Sequence, residues 1–145
     1  MTYLNVKTKQ TEIVPLLQFQ NQCEEAIRLY QEAFDAELLA FMRFSEADPK
    51  DFSDFSEGEK NLIYHAQLKI GNQRIIMCDN LFNKLPVGNS IYLCLMLPSA
   101  DDVKKVFDIL SKDGMIYTAP APTTYSECLA SFTDKFGMYW DLMVD

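Results

Sequence analysis

Apolar residues follow two rhythms along this chain. Between Glu24 and Phe34, Ala26, Ile27, Tyr30, Ala33 and Phe34 recur at spacings of three and four, leaving Glu25, Arg28 and Glu32 on the opposite side. That spacing predicts an amphipathic helix with one buried face. Val103, Val106, Phe107 and Leu110 predict a second helix over Ala100 to Lys112, and Gly114 is expected to end it by accepting a positive φ. The other apolar runs are short and bounded by polar residues, as strands are. They cover residues 13–20, 38–44, 62–70, 74–79, 90–97, 115–118, 128–133 and 138–144. Gly71-Asn72-Gln73 predicts a hairpin turn, as does the stretch from Thr133 to Gly137. Ser45 to Lys60 holds six acids against two lysines and reads as a solvated loop, while Asn80 to Gly88 reads as a joint.

The order is strand, helix and three strands, twice over. Ala26 to Val103 and Tyr30 to Phe107 are each 77 residues apart, although residue identity between the halves is low. The expected fold class is α+β: one domain over 1–145, built of two βαβββ modules at about 12–80 and 88–145, with a curved mixed sheet around a shared cavity and the helices outside. Side chains two apart on a strand share a face. Leu62, Tyr64, Ala66, Leu68 and Ile70 make a greasy face, and Ile63, His65, Gln67 and Lys69 a mixed one. Ser90 to Leu97 and Met138 to Val144 divide likewise, with Tyr92, Cys94 and Met96 on the mixed face of one and Tyr139, Asp141 and Met143 on that of the other. The greasy faces suit helices; the mixed ones suit a small-molecule cavity.

Charge and composition narrow the chemistry. With 13 basic and 21 acidic side chains the formal charge is −8, and there is no basic cluster. Phosphate backbones and anionic membrane surfaces are therefore poor partners. No apolar run approaches the roughly 20 residues that span a bilayer, and residues 1–10 lack the basic-then-apolar pattern of a leader, so a cytoplasmic location is expected. His65 is the only histidine. A site needing two or three imidazoles cannot be assembled from one chain. Cys23, Cys78, Cys94 and Cys128 form no CxxC pair and read as buried, reduced thiols.

The predicted cavity has His65, Gln67, Tyr92 and Asp141 as polar contacts and Phe41, Met96, Tyr125 and Tyr139 as walls. Asp141, a charge in a greasy strand, needs Arg43, Arg74, a ligand or water beside it. His65 with Asp141 or Gln67 suits acid/base or ligand-orienting work; otherwise it is a histidine hydrogen-bonded on a sheet face. Cys94 becomes a nucleophile only with a base nearby, and His65 is the one imidazole available.

Several segments resemble a known family. These are Cys23-Glu24-Glu25-Ala26-Ile27 with Tyr30 and Phe34, Ala36-Glu37-Leu38-Leu39, His65-Ala66-Gln67-Leu68-Lys69-Ile70-Gly71, Met77-Cys78-Asp79, and Phe132-Thr133-Asp134-Lys135-Phe136-Gly137 followed by Trp140. Together they are similar to the PhnB-like, glyoxalase-like branch of the vicinal oxygen chelate superfamily, which carries a demethylubiquinone methyltransferase label. Two places depart from the branch: Thr124-Tyr125 replaces an aromatic pair, and Asp35 stands where a glycine follows the first helix. The resemblance implies the paired-module fold, a homodimer and, in metal-dependent members, a ligand on the first and last strand of each half. Those positions fall here at Pro15, within Ile75 to Met77, at Tyr92 and at Asp141. One carboxylate does not make a catalytic metal site, so neither metal nor cofactor is expected. The methyl-transfer label lacks the Gly-rich turn of a cofactor-binding doubly wound sheet. The leading expectation is a metal-free protein that binds a small organic molecule. The alternatives are a metal-dependent lyase, isomerase or dioxygenase, a metal-free acid/base enzyme using His65, and a drug-sequestering protein of the bleomycin-resistance type.

Overall fold

The computed structural model describes residues 11–145 apart from 53, 82, 83 and 87. The reading of residues 1–10 falls outside that range, as do parts of the predicted loop and joint. The chain forms two compact units, one ending at Leu85 and the next beginning at Pro86.

In the first unit, β1 (Leu16–Phe19) leads to α1 (Cys23–Phe34), β2 (Glu37–Arg43), β3 (Ile63–Ile70) and β4 (Gln73–Asp79). The second unit runs β5 (Leu93–Leu97), α2 (Ala100–Leu110), β6 (Met115–Ala121), β7 (Leu129–Thr133) and β8 (Tyr139–Val144). Each makes a four-stranded mixed sheet of the same topology, β1-β4-β3-β2 and β5-β8-β7-β6. The first and last strands of each unit are parallel and the other pairs antiparallel. β1 and β5 begin 77 residues apart, as do α1 and α2, so the periodicity reports a repeated architecture.

The predicted alternation decides which face is buried. Ala66 and Leu68 of β3, and Trp140, Leu142 and Val144 of β8, are buried with the apolar faces of the helices. Phe107 of α2 meets Phe132 of β7 edge-on, with ring centroids 5.4 Å apart. Burying each such side chain contributes about 1.5–3 kcal/mol. In both units the second strand is an edge with two register irregularities, the first of them a bulge whose extra residue is Leu39 in β2 and Tyr117 in β6. Bulges twist an edge and blunt its capacity to pair with other chains.

Asp79, only 3% exposed, joins three segments of the first unit. Its Oδ1 accepts from the Cys23 N–H at the start of α1 and its Oδ2 from the Ile63 N–H at the start of β3, both at 3.0 Å. Gln22 gives α1 no side-chain cap, so a carboxylate from β4 does that work. Asp134 is the anchor of the β7–β8 turn: Phe136 N–H and Met138 N–H donate to one oxygen and the Trp140 indole N–H to the other, and Gly137 takes φ 87°.

Two local expectations change. The residue with positive φ after α2 is Asp113 (62°), just as Asp35 (53°) follows α1. Gly114 is required for a different reason: a Cβ there would lie 1.9 Å from the Thr133 carbonyl oxygen. The stretch after β2 is also more than a solvated loop. It holds three single 3-10 turns, and Phe52 and Phe55 pack with Phe44 and Tyr64 at ring separations of 5.2–6.0 Å.

Gly114→Ala is expected to cost about 1–3 kcal/mol, because α2 and β7 must move apart. Asp113→Gly is expected to be neutral or slightly stabilising. Asp79→Ala should cost about 2–4 kcal/mol by leaving buried backbone donors unpaired. Urea unfolding of the three variants checks all of these.

Candidate functional site

The mixed face of the first sheet carries a hydrogen-bonded row of side chains. Register places Gln67 beside Ile76, Lys69 beside Arg74, and Met42 beside His65. Arg74 Nε donates to Glu12 at 2.8 Å, with a second contact from Nη2, and Arg74 Nη1 donates to Gln67 Oε1 at 3.1 Å. Gln67 Nε2 then lies 3.1 Å from His65 Nε2. Guanidinium only donates, so it fixes the carbonyl end of the buried Gln67 amide toward Arg74 and the NH₂ end toward the imidazole. His65 Nε2 must therefore accept, which makes the imidazole neutral with its proton on Nδ1. Burial acts in the same direction, lowering the His65 pKa from its ordinary 6.5.

Phe41 and Arg43 leave this face. The bulge at Leu39 pairs Phe41 with Ala66, a helix-facing residue, and puts Ala40 beside Gln67. Arg43 turns toward α1 and forms a fork with Glu24 at 2.9 and 3.0 Å, and its guanidinium lies 4.8 Å from the centre of the Phe41 ring. Glu24 is correspondingly held below the usual carboxylate range, first by the Arg43 hydrogen bond. Phe41 lines a groove of about 390 Å³ between α1 and β2, together with Ile27, Gln31 and Leu38. This groove is on the outer edge of the sheet, away from His65. The bulge at Leu39, invisible in an alternating pattern, turned Phe41 to the other face, and a second register irregularity between Met42 and Arg43 takes Arg43 out of the alternation.

The second unit's mixed face gathers more of the predicted residues. Asp141 stands between Cys94 of β5 and Ser131 of β7, and Met143 stands beside Met96. The Tyr92 and Tyr139 rings lie 4.9 Å apart and tilted, and Tyr117 stacks on Tyr139 at 6.0 Å with the planes within 5°. Contact with the Tyr139 hydroxyl raises the Tyr117 pKa. Tyr117 was missed in the sequence because the short β6 run gave no reason to prefer it to Tyr125. Tyr125 instead stands 71% exposed in the turn where Thr123 N–H donates to the Ser126 carbonyl. Asp141 Oδ1 is sealed from solvent and has no hydrogen-bond partner among the described residues. Of the four thiols expected to be buried, Cys23 and Cys128 are, whereas Cys78 is half-buried and Cys94 is exposed on this face. Partial desolvation, and then the Asp141 charge, still raise the Cys94 pKa, which counts against a thiolate nucleophile there.

The donor set does not fit a divalent metal. Pro15 has no donor side chain, Ile75, Ile76 and Met77 bring no charged ligand, and Tyr92 stands where an imidazole would be needed. Among the described residues no three His, Cys, Asp or Glu side chains come together to hold an ion.

Paired βαβββ units, each an α-helix on a mixed four-stranded sheet, are the architecture of the vicinal oxygen chelate superfamily. The structure matches protein PA1353 of Pseudomonas aeruginosa at a TM-score of 0.81, with 25% identity over 94% of this chain and 98% of that one. It matches the PhnB protein of Bacillus cereus at 0.77, with 21% identity over 93% of this chain and 100% of that one. The fosfomycin resistance protein FosX of Listeria monocytogenes shares the fold at 0.63, with 11% identity over 95% of each chain. Residues 11–143 match the 3-demethylubiquinone-9 3-methyltransferase family model, and the chain belongs to that PhnB-like family. It is 32% identical to protein YjdN of Escherichia coli K12 over 141 residues, 90% of this chain and 92% of that protein.

Because the chain has one histidine, a long-range ¹H–¹⁵N spectrum of its imidazole reads His65 alone. It should show the Nδ1–H tautomer at pH 7 and a titration below 6.5. The unfolded chain takes up this proton near 6.5 and the folded chain only at lower pH, so this group lowers stability as pH falls through 6.5 and leaves it unchanged above. Gln67→Glu, which supplies an acceptor to both neighbours, should move the titration above 6.5. A protonated imidazole in the unaltered protein at pH 7 would contradict the assignment.

Proposed function

We propose that the protein binds a small organic molecule on the mixed face of its sheets and uses no divalent metal to do so. The observation that carries this reading is the second sheet's mixed face, where a carboxylate oxygen without a partner stands among neutral, polarisable side chains. Tyr92, Tyr139, Met96 and Met143 give an apolar bed, with Tyr117 in the place expected of Tyr125. Asp141 gives the polar contact, and His65 and Gln67 give the first sheet's mixed face its own. Such surfaces, largely apolar with a few oriented polar groups, are what ligand sites are made of.

The neutral state and engaged Nε2 of His65 argue against its use as a base at that atom, which weakens the metal-free acid/base alternative. The poor donor set weakens the metal-dependent one. The family's methyl-transfer name finds no counterpart in these residues, since none of the five glycines forms a cofactor-binding Gly-rich turn. A drug-sequestering role needs binding alone and is a variant of this proposal. No helix among the described residues is long and apolar enough to cross a membrane, and a cytoplasmic homodimer is the form we propose. The exposed apolar residues Met115 and Ile116 of edge strand β6 support a partner there.

A fragment screen read by ¹³C-methyl-methionine spectra is expected to find ligands that shift Met96 and Met143 together and raise the melting temperature. Titration with zinc, nickel, manganese and iron should show no stoichiometric tight binding. One equivalent bound tightly and lost in Asp141→Ala would overturn the metal-free reading, and a screen that leaves both methyls unmoved would overturn ligand binding. Sedimentation should give a dimer, weakened by Ile116→Lys.

A further inference from the structure

We infer that the mixed face of the second sheet is a subsite for organic cations of the quaternary-ammonium class, seated on the tyrosine rings beside Asp141. This rests on the small-molecule reading above and names the chemistry of the ligand. A carboxylate oxygen removed from water and left without a donor is costly unless opposite charge compensates it. Asp141 Oδ1 is in that state. Its neighbours across the sheet, Cys94 and Ser131, are uncharged. The unit's basic side chains do not stand on this face: Lys104 and Lys105 belong to α2 and Lys112 follows it, while Lys135 is in the β7–β8 turn, 5.6 Å from the Phe136 ring centre. α2 covers the opposite face of the sheet, where Val103 and Phe107 are buried.

The form of the compensation follows from access. Oδ1 is closed to solvent, so a hydrogen-bond donor cannot reach it without displacing its surroundings, whereas the attraction of its charge for a cation needs no direct contact. A metal ion needs several directly bound donors, and one carboxylate with a sealed oxygen does not supply them. A primary ammonium brings three N–H donors that need acceptors. An alkylated ammonium needs none; it is stabilised by nearby negative charge and by ring faces, which attract cations through their quadrupoles. Those faces are present one step along the strand from Asp141. Tyr139 is flanked by Tyr92 and Tyr117, which remain 38% and 49% exposed. Met96 extends the bed with a polarisable thioether. A chain of net charge −8 also draws cations toward itself.

Choline and its uncharged carbon isostere 3,3-dimethylbutan-1-ol separate charge from shape. With full-length, ¹³C-methyl-methionine-labelled protein, choline should shift Met96 and Met143 saturably and bind about tenfold more tightly than the isostere. Asp141→Asn, nearly isosteric, should weaken choline about tenfold and leave the isostere unchanged. Equal binding of the two compounds to the unaltered protein overturns the inference whatever the variant does, and so does choline binding that is indifferent to Asp141→Asn. If neither compound binds while neutral fragments still shift these methyls, the preference for cations fails and the small-molecule reading stands. If nothing shifts them, both fail.

Discussion

The Asp79 carboxylate fixes the geometry of the first unit because three chain segments depend on its two oxygens. A helix start leaves backbone N–H groups with no partner in the helix, and those of α1 are buried against the sheet. Asp79 brings acceptors to that point from the end of β4 and accepts from the first residue of β3 as well. Burial tends to raise its pKa, and the converging backbone N–H groups oppose that rise. The Cys23 thiol at the same place is pushed far up, by burial first and by this carboxylate second. With β4 held beside β3, Arg74 reaches Gln67 and Gln67 reaches His65. The orientation of the imidazole is thus a consequence of the β3–β4 pairing, which sets Arg74 and Gln67 within reach of each other.

The second unit secures the same topology by other means. Ser99 Oγ accepts from the Asp102 N–H to cap α2, and Asp134 holds the last turn by accepting from two backbone donors and the Trp140 indole. Architecture is repeated while the fastening side chains are not, which accounts for low residue identity between halves that share a strand order. The motif from Phe132 to Gly137 that resembles the PhnB-like family is therefore a structural fastening. Similarity there reports fold, and function has to be argued from other side chains.

The two mixed faces treat charge differently. On the first sheet the Arg74 charge is paired with Glu12, and Gln67 passes the direction of the Arg74 donors to His65. On the second sheet Asp141 has neutral neighbours and one sealed oxygen. A satisfied network holds a group in one state, whereas an unsatisfied one favours whatever supplies the missing charge. The first face thus suits orientation and the second suits binding.

The elements were legible in the sequence because burial imposes a period on local residues: three to four in α1 and α2, two in β3 and β8. The eight strands and two helices of the described residues, their order and the repeat follow from that, with ends misplaced by a few residues because β1 starts only at Leu16 and β5 only at Leu93. The lone histidine and the poor metal donor set were also readable, since they are matters of inventory. Phe41, Arg43, Tyr117 and Tyr125 were not. Their placement depends on bulges at Leu39 and Tyr117, on the register irregularity between Met42 and Arg43 and on the turn at Thr123, and nothing in an alternating pattern marks those places. The role of Gly114 likewise needed the Thr133 carbonyl to be in place. Local periodicity determined which segments become helix and strand; only the pairing of distant segments decided which side chains meet, because register is a property of two strands and not of either alone.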